Sequence, residues 1–138
     1  MTYLLDTNAC IALINGKPEQ VRRRFERQFS GGATVVTSSV VVFELWYGVG
    51  KSQRREANAR RLRVFLRGPV DVADFDDEDA RAAGEVRTAL EVSGTPIGAY
   101  DVLVAGQSLR RGATLVTANV GEFSRVVGLR WEDWARDS

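Results

Sequence analysis

The sequence contains no histidine and a single cysteine, Cys10. These absences exclude a disulfide within the chain, a zinc site built from Cys and His, and every catalytic scheme that uses an imidazole. Acid–base chemistry or metal binding must therefore depend on carboxylates or on Lys, Tyr, Ser and Thr side chains.

The chain also lacks a long hydrophobic run, since no apolar stretch approaches the roughly 20 residues that a membrane-spanning helix needs. Its first residues, from Met1 to Asp6, have no basic start and reach an acid too early for a signal peptide. We therefore expect a cytoplasmic protein that does not contact a membrane. With 138 residues, 44% hydrophobic and 27% charged, the sequence predicts one globular domain over residues 1–138.

Lysine is scarce, because Lys17 and Lys51 are the only two among 19 basic residues. The net charge of +1 does not by itself indicate nucleic-acid binding. Arginine suits bidentate phosphate contacts, although a genome with Arg-favouring codons explains the same bias equally well. The Arg-rich segments 22–27 and 54–67 could contact phosphates or form solvated helix faces.

Short β-like runs alternate with longer helical runs, a pattern typical of an α/β protein. We predict a central, mainly parallel sheet of four to five strands flanked by helices. The strands are expected at residues 2–5, 34–37, 70–75 and 115–117, with a short edge strand near 129–131. The helices are expected at about 7–14, 18–29, 38–48, 51–67, 76–92 and 99–110.

Asp6 directly follows the first predicted strand, and in open α/β sheets ligands bind at the carboxyl ends of strands. Helix capping is the alternative role for Asp6. Glu44 and Asp101 each lie in a helical stretch whose other residues are almost all apolar or aromatic. We expect these helices to be buried, where an ionised carboxylate is costly unless it is paired or bound to a metal. An arginine partner is the alternative for Glu44, and helix capping for Asp101.

Three isolated acids in apolar surroundings repel one another unless a cation lies among them. Carboxylates are the ligands that hard divalent ions prefer, so we expect Mg²⁺ or Mn²⁺. Such an ion activates water and neutralises charge on a phosphodiester under attack. The sequence therefore predicts metal-dependent phosphodiester hydrolysis.

Five segments of the chain, read in order, resemble the PIN domain of VapC-type toxins and of the similar FitB proteins. They cover nearly the whole chain: Leu4-Leu5-Asp6-Thr7-Asn8, Ser38 to Gly48, Ile97 to Ala105, Gly112 to Phe123, and Gly128 to Trp134. The resemblance implies a PIN-like fold and the toxin of a type II toxin–antitoxin system, a Mg²⁺- or Mn²⁺-dependent endoribonuclease.

The resemblance also assigns residues to this activity. It implies that Asp6, Glu44 and Asp101 hold the metal and that Glu122 is a fourth catalytic acid. Whether Glu122 or Asn119 completes the site stays open, since some relatives carry aspartate in place of Asn119, and Glu122 could be a solvated acid in a turn. The residues expected to orient the carboxylates or metal-bound waters are Thr7, Asn8, Thr117 and Asn119.

The partners implied by the resemblance are an RNA substrate, a second copy of the chain in a homodimer, and a VapB-like antitoxin whose C-terminal segment covers the acidic site. The sequence does not identify the RNA target, the cleavage motif, or the number of metal ions. The aromatic residues that could serve either an interface or the core are Phe43, Trp46, Tyr47, Trp131 and Trp134.

A strand-end aspartate also occurs in two other classes of protein. A metal-dependent phosphatase needs a second acid two residues after the strand-end aspartate, where Asn8 stands. A receiver domain needs an upstream acidic pair and a later lysine, and neither appears. The remaining alternative is a catalytically silent PIN-fold module that binds RNA or protein.

Overall fold

The computed structural model describes residues 1–136. Five strands form one sheet in the order β3-β2-β1-β4-β5, and every neighbouring pair is parallel. This confirms the predicted α/β architecture. The strands are β1 (Thr2–Leu5), β2 (Thr34–Ser38), β3 (Asp71–Ala73), β4 (Thr114–Val116) and β5 (Trp131–Glu132). The helices are α1 (Thr7–Asn15), α2 (Glu19–Ser30), α3 (Ser39–Gly50), α4 (Arg55–Leu66), α5 (Asp77–Val92), α6 (Ala99–Arg110) and α7 (Val120–Phe123).

Strand β1 is the centre of the sheet, because Leu5 pairs with Thr37 of β2 on one side and with Val116 of β4 on the other. Leu4 and Leu5 are fully buried, as a strand covered on both faces requires. Since all strands are parallel, their carboxyl ends meet along one side of the sheet. We call this side the carboxyl edge.

Helix α3 differs from the prediction that it is buried all round. Val41 and Leu45, four residues apart, are buried, whereas Phe43, Trp46 and Tyr47 are exposed. The prediction was wrong because the helix packs on the sheet with one face only, and its aromatic residues occupy the opposite face. Helix α6 is buried along residues 104–108, but its first turn, with Tyr100, is open to solvent.

Helices α5 and α6 pack closely against each other. A Cβ atom placed on Gly106 would lie 2.4 Å from the Cα of Ala83, so only glycine permits this approach. At the other end of the pair, fully buried Asp79 accepts hydrogen bonds from Arg110 Nε at 2.6 Å and Arg111 at 3.0 Å. Asp79 also completes a capping box with Asp76 at the start of α5.

Cys10 of α1 is fully buried, with its Sγ 3.5 Å from the Thr37 hydroxyl of β2. Burial raises the pKa of the Cys10 thiol to about 12, with a smaller contribution from the negative charge of Asp6. The cysteine is therefore a core residue that joins α1 to the sheet. Among residues 1–136, no helix combines the length and the hydropathy needed to cross a membrane.

Candidate active site

Asp6 lies at the carboxyl edge directly after β1, as predicted, and only 8% of its surface is exposed. Its carboxylate accepts a hydrogen bond from the Ala9 amide at 2.9 Å and so caps α1, which was the alternative role considered for Asp6. The role of Asp6 as a metal ligand stays a prediction. Burial raises the pKa of Asp6, hydrogen bonds from the Thr117 hydroxyl and the Ala9 amide lower it, and the charges of Glu44 and Asp133 raise it further.

Glu44 lies on the second turn of α3 and is half-buried. The Thr7 hydroxyl, one residue after Asp6, donates a hydrogen bond of 2.9 Å to Glu44 Oε1. Thr7 thus links the segment that follows β1 to the helix that follows β2. Within the described part of the chain, Glu44 forms no ion pair with an arginine or lysine, so the alternative of an arginine partner is not realised there.

Asp101, in the first turn of α6, is hydrogen-bonded through its carboxyl group to Glu122 of α7. The pKa of Asp101 rises to about 7, chiefly because burial disfavours the charge, and further because of this hydrogen bond and the charges of Glu122, Glu44 and Asp6. Gly98, rather than Asp101, stands at the N-cap of α6, and no side chain caps the helix there. The capping alternative for Asp101 is therefore not realised.

Glu122 is held by the backbone and side chains around it. The Asn119 side-chain amide donates to Glu122 Oε2, and the Gly98 amide donates to Oε1 at 3.3 Å. The pKa of Glu122 is lowered, chiefly by the Asn119 hydrogen bond, which together with Asp101, Gly98 and the charge of Arg125 outweighs burial. Glu122 thus contacts another acid of the site, Asp101, and its Oε2 atom is bound by the Asn119 side chain.

We call Asp6, Glu44, Asp101 and Glu122 the acidic cluster. Two of the residues expected to orient it, Thr7 and Thr117, contact it directly, and Asn119 contacts Glu122. Thr117 Oγ1 also accepts a hydrogen bond from the main-chain amide of Asn119 at 2.9 Å. Asn8 is exposed, and its side chain makes no hydrogen bond to residues 1–136, so its role stays a prediction.

Asp133 is an acid near this site that the sequence analysis did not single out. It directly follows β5, and its charge raises the pKa of Asp6. Its own carboxylate accepts from the Ala135 amide at 3.0 Å and pairs with Arg136 at 3.3 Å. Asp133 follows the last parallel strand as Asp6 follows the first, but that strand has only two residues and gives little signal in the sequence.

The acidic cluster fits a hard divalent cation by its chemistry. Its members come from four separate segments, and within residues 1–136 none of Asp6, Glu44 and Asp101 forms an ion pair with an arginine or lysine, in contrast to Asp79 with its two arginines. Oxygen donors of this kind suit Mg²⁺ or Mn²⁺. In the structure of residues 1–136, no three carboxylates are close enough to one another to share one metal ion. Metal binding would therefore require rotation of at least one carboxylate.

Comparison with known proteins identifies the family. The PIN domain model matches residues 3–129. The tRNA(fMet)-specific endonuclease VapC of Salmonella typhimurium and the ribonuclease VapC2 of Rickettsia felis are each 40% identical, over 97% of this chain and 98% of their own lengths.

Solved structures show the same likeness. The VapBC2 structure from Rickettsia felis, bound to a DNA fragment from its promoter, matches with a TM-score of 0.90 at 39% identity, covering 97% of this chain and 99% of that one. The DNA-bound VapBC structure from Salmonella typhimurium matches with a TM-score of 0.88 at 40% identity, covering 97% and 98%. This chain therefore belongs to the PIN-domain family and, within it, to the VapC proteins.

Proposed function

We propose that this protein is the toxin of a type II toxin–antitoxin system and hydrolyses RNA phosphodiester bonds as a Mg²⁺- or Mn²⁺-dependent endoribonuclease of the cytoplasm. The observation that carries the proposal is the mutual influence of Asp6, Glu44 and Asp101. Each comes from a different segment, and the charges of Asp6 and Glu44 raise the pKa of Asp101. The names of its relatives, which are called ribonucleases or endonucleases, support the same activity.

In this proposal Asp6, Glu44 and Asp101 hold the metal ion, which when bound supplies an activated water and neutralises phosphate charge. Thr7 and Thr117 hold the carboxylates of Glu44 and Asp6 in place through their hydroxyl groups. In the metal-free site Asp101 and Glu122 share a proton. Glu122 is not assigned to the metal, so it stays available to accept a proton in a chain that has no histidine. The expected products carry a 5′-phosphate and a 3′-hydroxyl.

The test is cleavage of end-labelled RNA with Mg²⁺ or Mn²⁺ and with EDTA. We expect EDTA to abolish cleavage and Asp6→Asn or Asp101→Asn to lower the rate by about 10²-fold or more. Asp74→Asn is the matched control, because Asp74 also follows a strand of the sheet but lies outside the acidic cluster.

Circular dichroism verifies that each variant is folded. Undiminished cleavage by folded Asp101→Asn would overturn the proposal. RNA binding by the wild type without cleavage would instead favour the catalytically silent module.

The first RNA to test is initiator tRNA, because two relatives, 40% and 42% identical, are named tRNA(fMet)-specific endonucleases. We propose that this chain shares that substrate. Cleavage of tRNA(fMet) is compared with cleavage of an elongator tRNA at equal concentration. Equal rates on both would contradict this specificity.

We further propose that a VapB-like antitoxin binds a cleft of about 390 Å³ between α1, α3 and α4. Apolar side chains including Ile11 and Leu45 line this cleft, and Glu44 lies in its wall, so an occupant would reach the acidic cluster. The solved relatives named above are VapBC structures.

Co-purification with the product of the adjacent reading frame tests this assignment. Ile11→Asp should abolish co-purification, whereas Val92→Asp, on the exposed side of α5, should not. Full co-purification of the Ile11→Asp variant would exclude the cleft as the antitoxin-binding site.

We also propose the homodimer that the family resemblance implies, and light scattering tests it.

A further inference from the structure

Two exposed aromatic residues adjoin members of the acidic cluster along the chain. Phe43 precedes Glu44 on α3, and Tyr100 precedes Asp101 on α6. The ring centroids are 5.6 Å apart with the ring planes tilted by 53°, and the residues are 54% and 48% exposed. The fold thus brings together two rings from distant segments, next to the acids but outside the core.

Further aromatic residues extend this surface along α3. Phe43, Trp46 and Tyr47 are spaced by three and four residues and so share one helix face. At about 100° per residue, Glu44 lies only about 60° from Tyr47 around the helix axis. The exposed rings therefore run alongside a member of the acidic cluster.

Two cationic side chains lie over these rings. Lys51 Nζ is 5.0 Å from the centroid of the Tyr47 ring, and the Arg63 guanidinium is 5.7 Å from that of Trp46. Proteins that bind single-stranded nucleic acid combine ring faces, on which bases stack, with cations that accompany the phosphates. The same combination is present on this surface.

The charges around the rings favour a nucleotide over a protein as the occupant. The buried centre of a protein interface is depleted of charged residues. Here the ring pair is adjoined along the chain by the carboxylates of Glu44 and Asp101, and cations cover the neighbouring rings. An unpaired nucleotide matches this surface, because its base is an uncharged ring and its phosphate is an anion.

We propose that Phe43 and Tyr100 form a stacking site for an unpaired base of the RNA substrate, and that this base positions the adjoining backbone at the acidic cluster. The proposal rests on the proposed function, since it takes the cleaved RNA as the occupant. Phe43 and Tyr100 are then binding and positioning residues, and the acids carry the chemistry.

The test measures binding of a short labelled single-stranded RNA by fluorescence anisotropy in EDTA, so that the strand is not cut. A second strand has the same backbone with abasic sites. We expect Phe43→Leu and Tyr100→Leu to raise the Kd for the intact RNA on the order of tenfold and to leave the Kd for the abasic strand unchanged.

Three controls accompany the two leucine variants. Phe43→Tyr and Tyr100→Phe keep the rings and should keep wild-type affinity. Phe29→Leu removes a ring of similar exposure, 46%, that contacts Phe25 on α2, and should leave RNA binding unchanged.

Cleavage assays with Mg²⁺ or Mn²⁺ complete the experiment. The leucine variants should show a raised KM and a nearly unchanged kcat. Equal Kd values for wild type and leucine variants would overturn the proposal, as would an equal loss on the abasic strand. Conversion of a dimer to monomers by the leucine variants would place the rings in a protein interface and overturn it as well.

The two proposals fail in different ways. If the wild type cleaves RNA but the leucine variants bind it equally well, only the stacking site is wrong. If RNA binding depends on the rings but no metal supports cleavage, the nuclease assignment is wrong and the base-binding site stands.

Discussion

The carboxyl groups of Asp101 and Glu122 are joined by a hydrogen bond where α6 and α7 approach each other, so below about pH 7 the two acids hold one proton. The charges of Glu44 and Asp6 add to the cost of removing that proton. Shifted pKa values of this kind are concentrated at functional sites. Because removing the proton from Asp101 costs more in the folded chain than in the unfolded chain, this arrangement destabilises the metal-free protein at high pH.

Asp101→Asn should stabilise the metal-free protein at high pH. The pKa of Asp101 is about 7 in the folded chain, against 3.8 for the unperturbed group, so its contribution to stability falls as the pH rises through this interval. At pH 8 we expect the variant to gain about 1 kcal/mol in the free energy of unfolding, a value kept small because solvent screens a partly exposed carboxyl group. Near pH 4 the gain should vanish. Urea denaturation in EDTA at both pH values, with Asp74→Asn as control, tests this, and an equal gain at both would contradict it.

Gly98→Ala should disturb the acidic cluster without unfolding the protein. A Cβ atom on Gly98 would lie 3.2 Å from Asp101 Oδ2, closer than an ordinary contact, so the carboxylate must shift. We expect a severalfold weaker Mn²⁺ affinity by isothermal titration and a change below about 1 kcal/mol in the free energy of unfolding. Gly121→Ala, with no atom within 4 Å of the added Cβ, is the control. Unchanged Mn²⁺ affinity in Gly98→Ala would show that the Asp101 position is not critical.

Asp79→Asn should destabilise the protein by about 2–3 kcal/mol, because it leaves Arg110 and Arg111 without their buried partner and weakens the cap of α5. Burial acts to raise the pKa of Asp79, but the hydrogen bonds from Arg111, Arg110 and the Asp76 amide outweigh it, and the pKa is lowered. Its stabilisation is therefore present above pH 3.8 and is lost as the pH falls through the lower folded value. Urea denaturation at pH 7 and pH 3 measures both effects.

Glu78→Gln is the matched control for Asp79→Asn, because Glu78 contacts the same Arg110 at 3.1 Å but is largely exposed. We expect it to change the free energy of unfolding by less than about 1 kcal/mol. If the two variants lost the same free energy of unfolding, the burial of Asp79 would not explain its contribution to stability.

Two glycines on the packed helices should respond to alanine in opposite directions. Gly106→Ala places a methyl group 2.4 Å from the Ala83 backbone and should cost about 3 kcal/mol or more, since α5 and α6 must separate. Gly84→Ala has no atom within 4 Å and should stabilise α5 by about 0.5–1 kcal/mol. Thermal denaturation compares them, and similar melting temperatures would contradict the close packing at Gly106.

The sequence predicted elements well where strong local signals mark their ends. Strand β1 ends at an aspartate after an apolar run, and α5 begins at the acidic capping box of Asp76, so both matched the structure. Helix α7 was missed, because four residues are too few to show a helical period. Strand β3 is shorter than predicted, because the Phe75 amide bonds to the Ser39 hydroxyl instead of a neighbouring strand.

The acids of the candidate site could be predicted from the sequence better than the residues around them. An acid in an apolar stretch stands out in a sequence, and this identified Glu44 and Asp101. The contact of Glu122 with Asp101 depends on how α7 packs against α6, which local pattern does not report. Asp133 follows a strand of only two residues, a signal too short to recognise. The exposed face of α3 was missed because an almost wholly apolar helix gives no indication of which side meets the sheet.

The buried thiol of Cys10 gives the protein an internal reporter of opening. It lies between α1 and β2, and α1 begins at the cap formed by Asp6 and carries Thr7, so a thiol reagent can reach the sulfur only when this helix separates from the sheet. The rate of modification of the unmutated chain therefore measures how often the segment bearing two site residues detaches. Comparing that rate with and without Mn²⁺, or with antitoxin, would show whether a bound ligand stabilises the packing of α1 on the sheet. The measurement needs no engineered label.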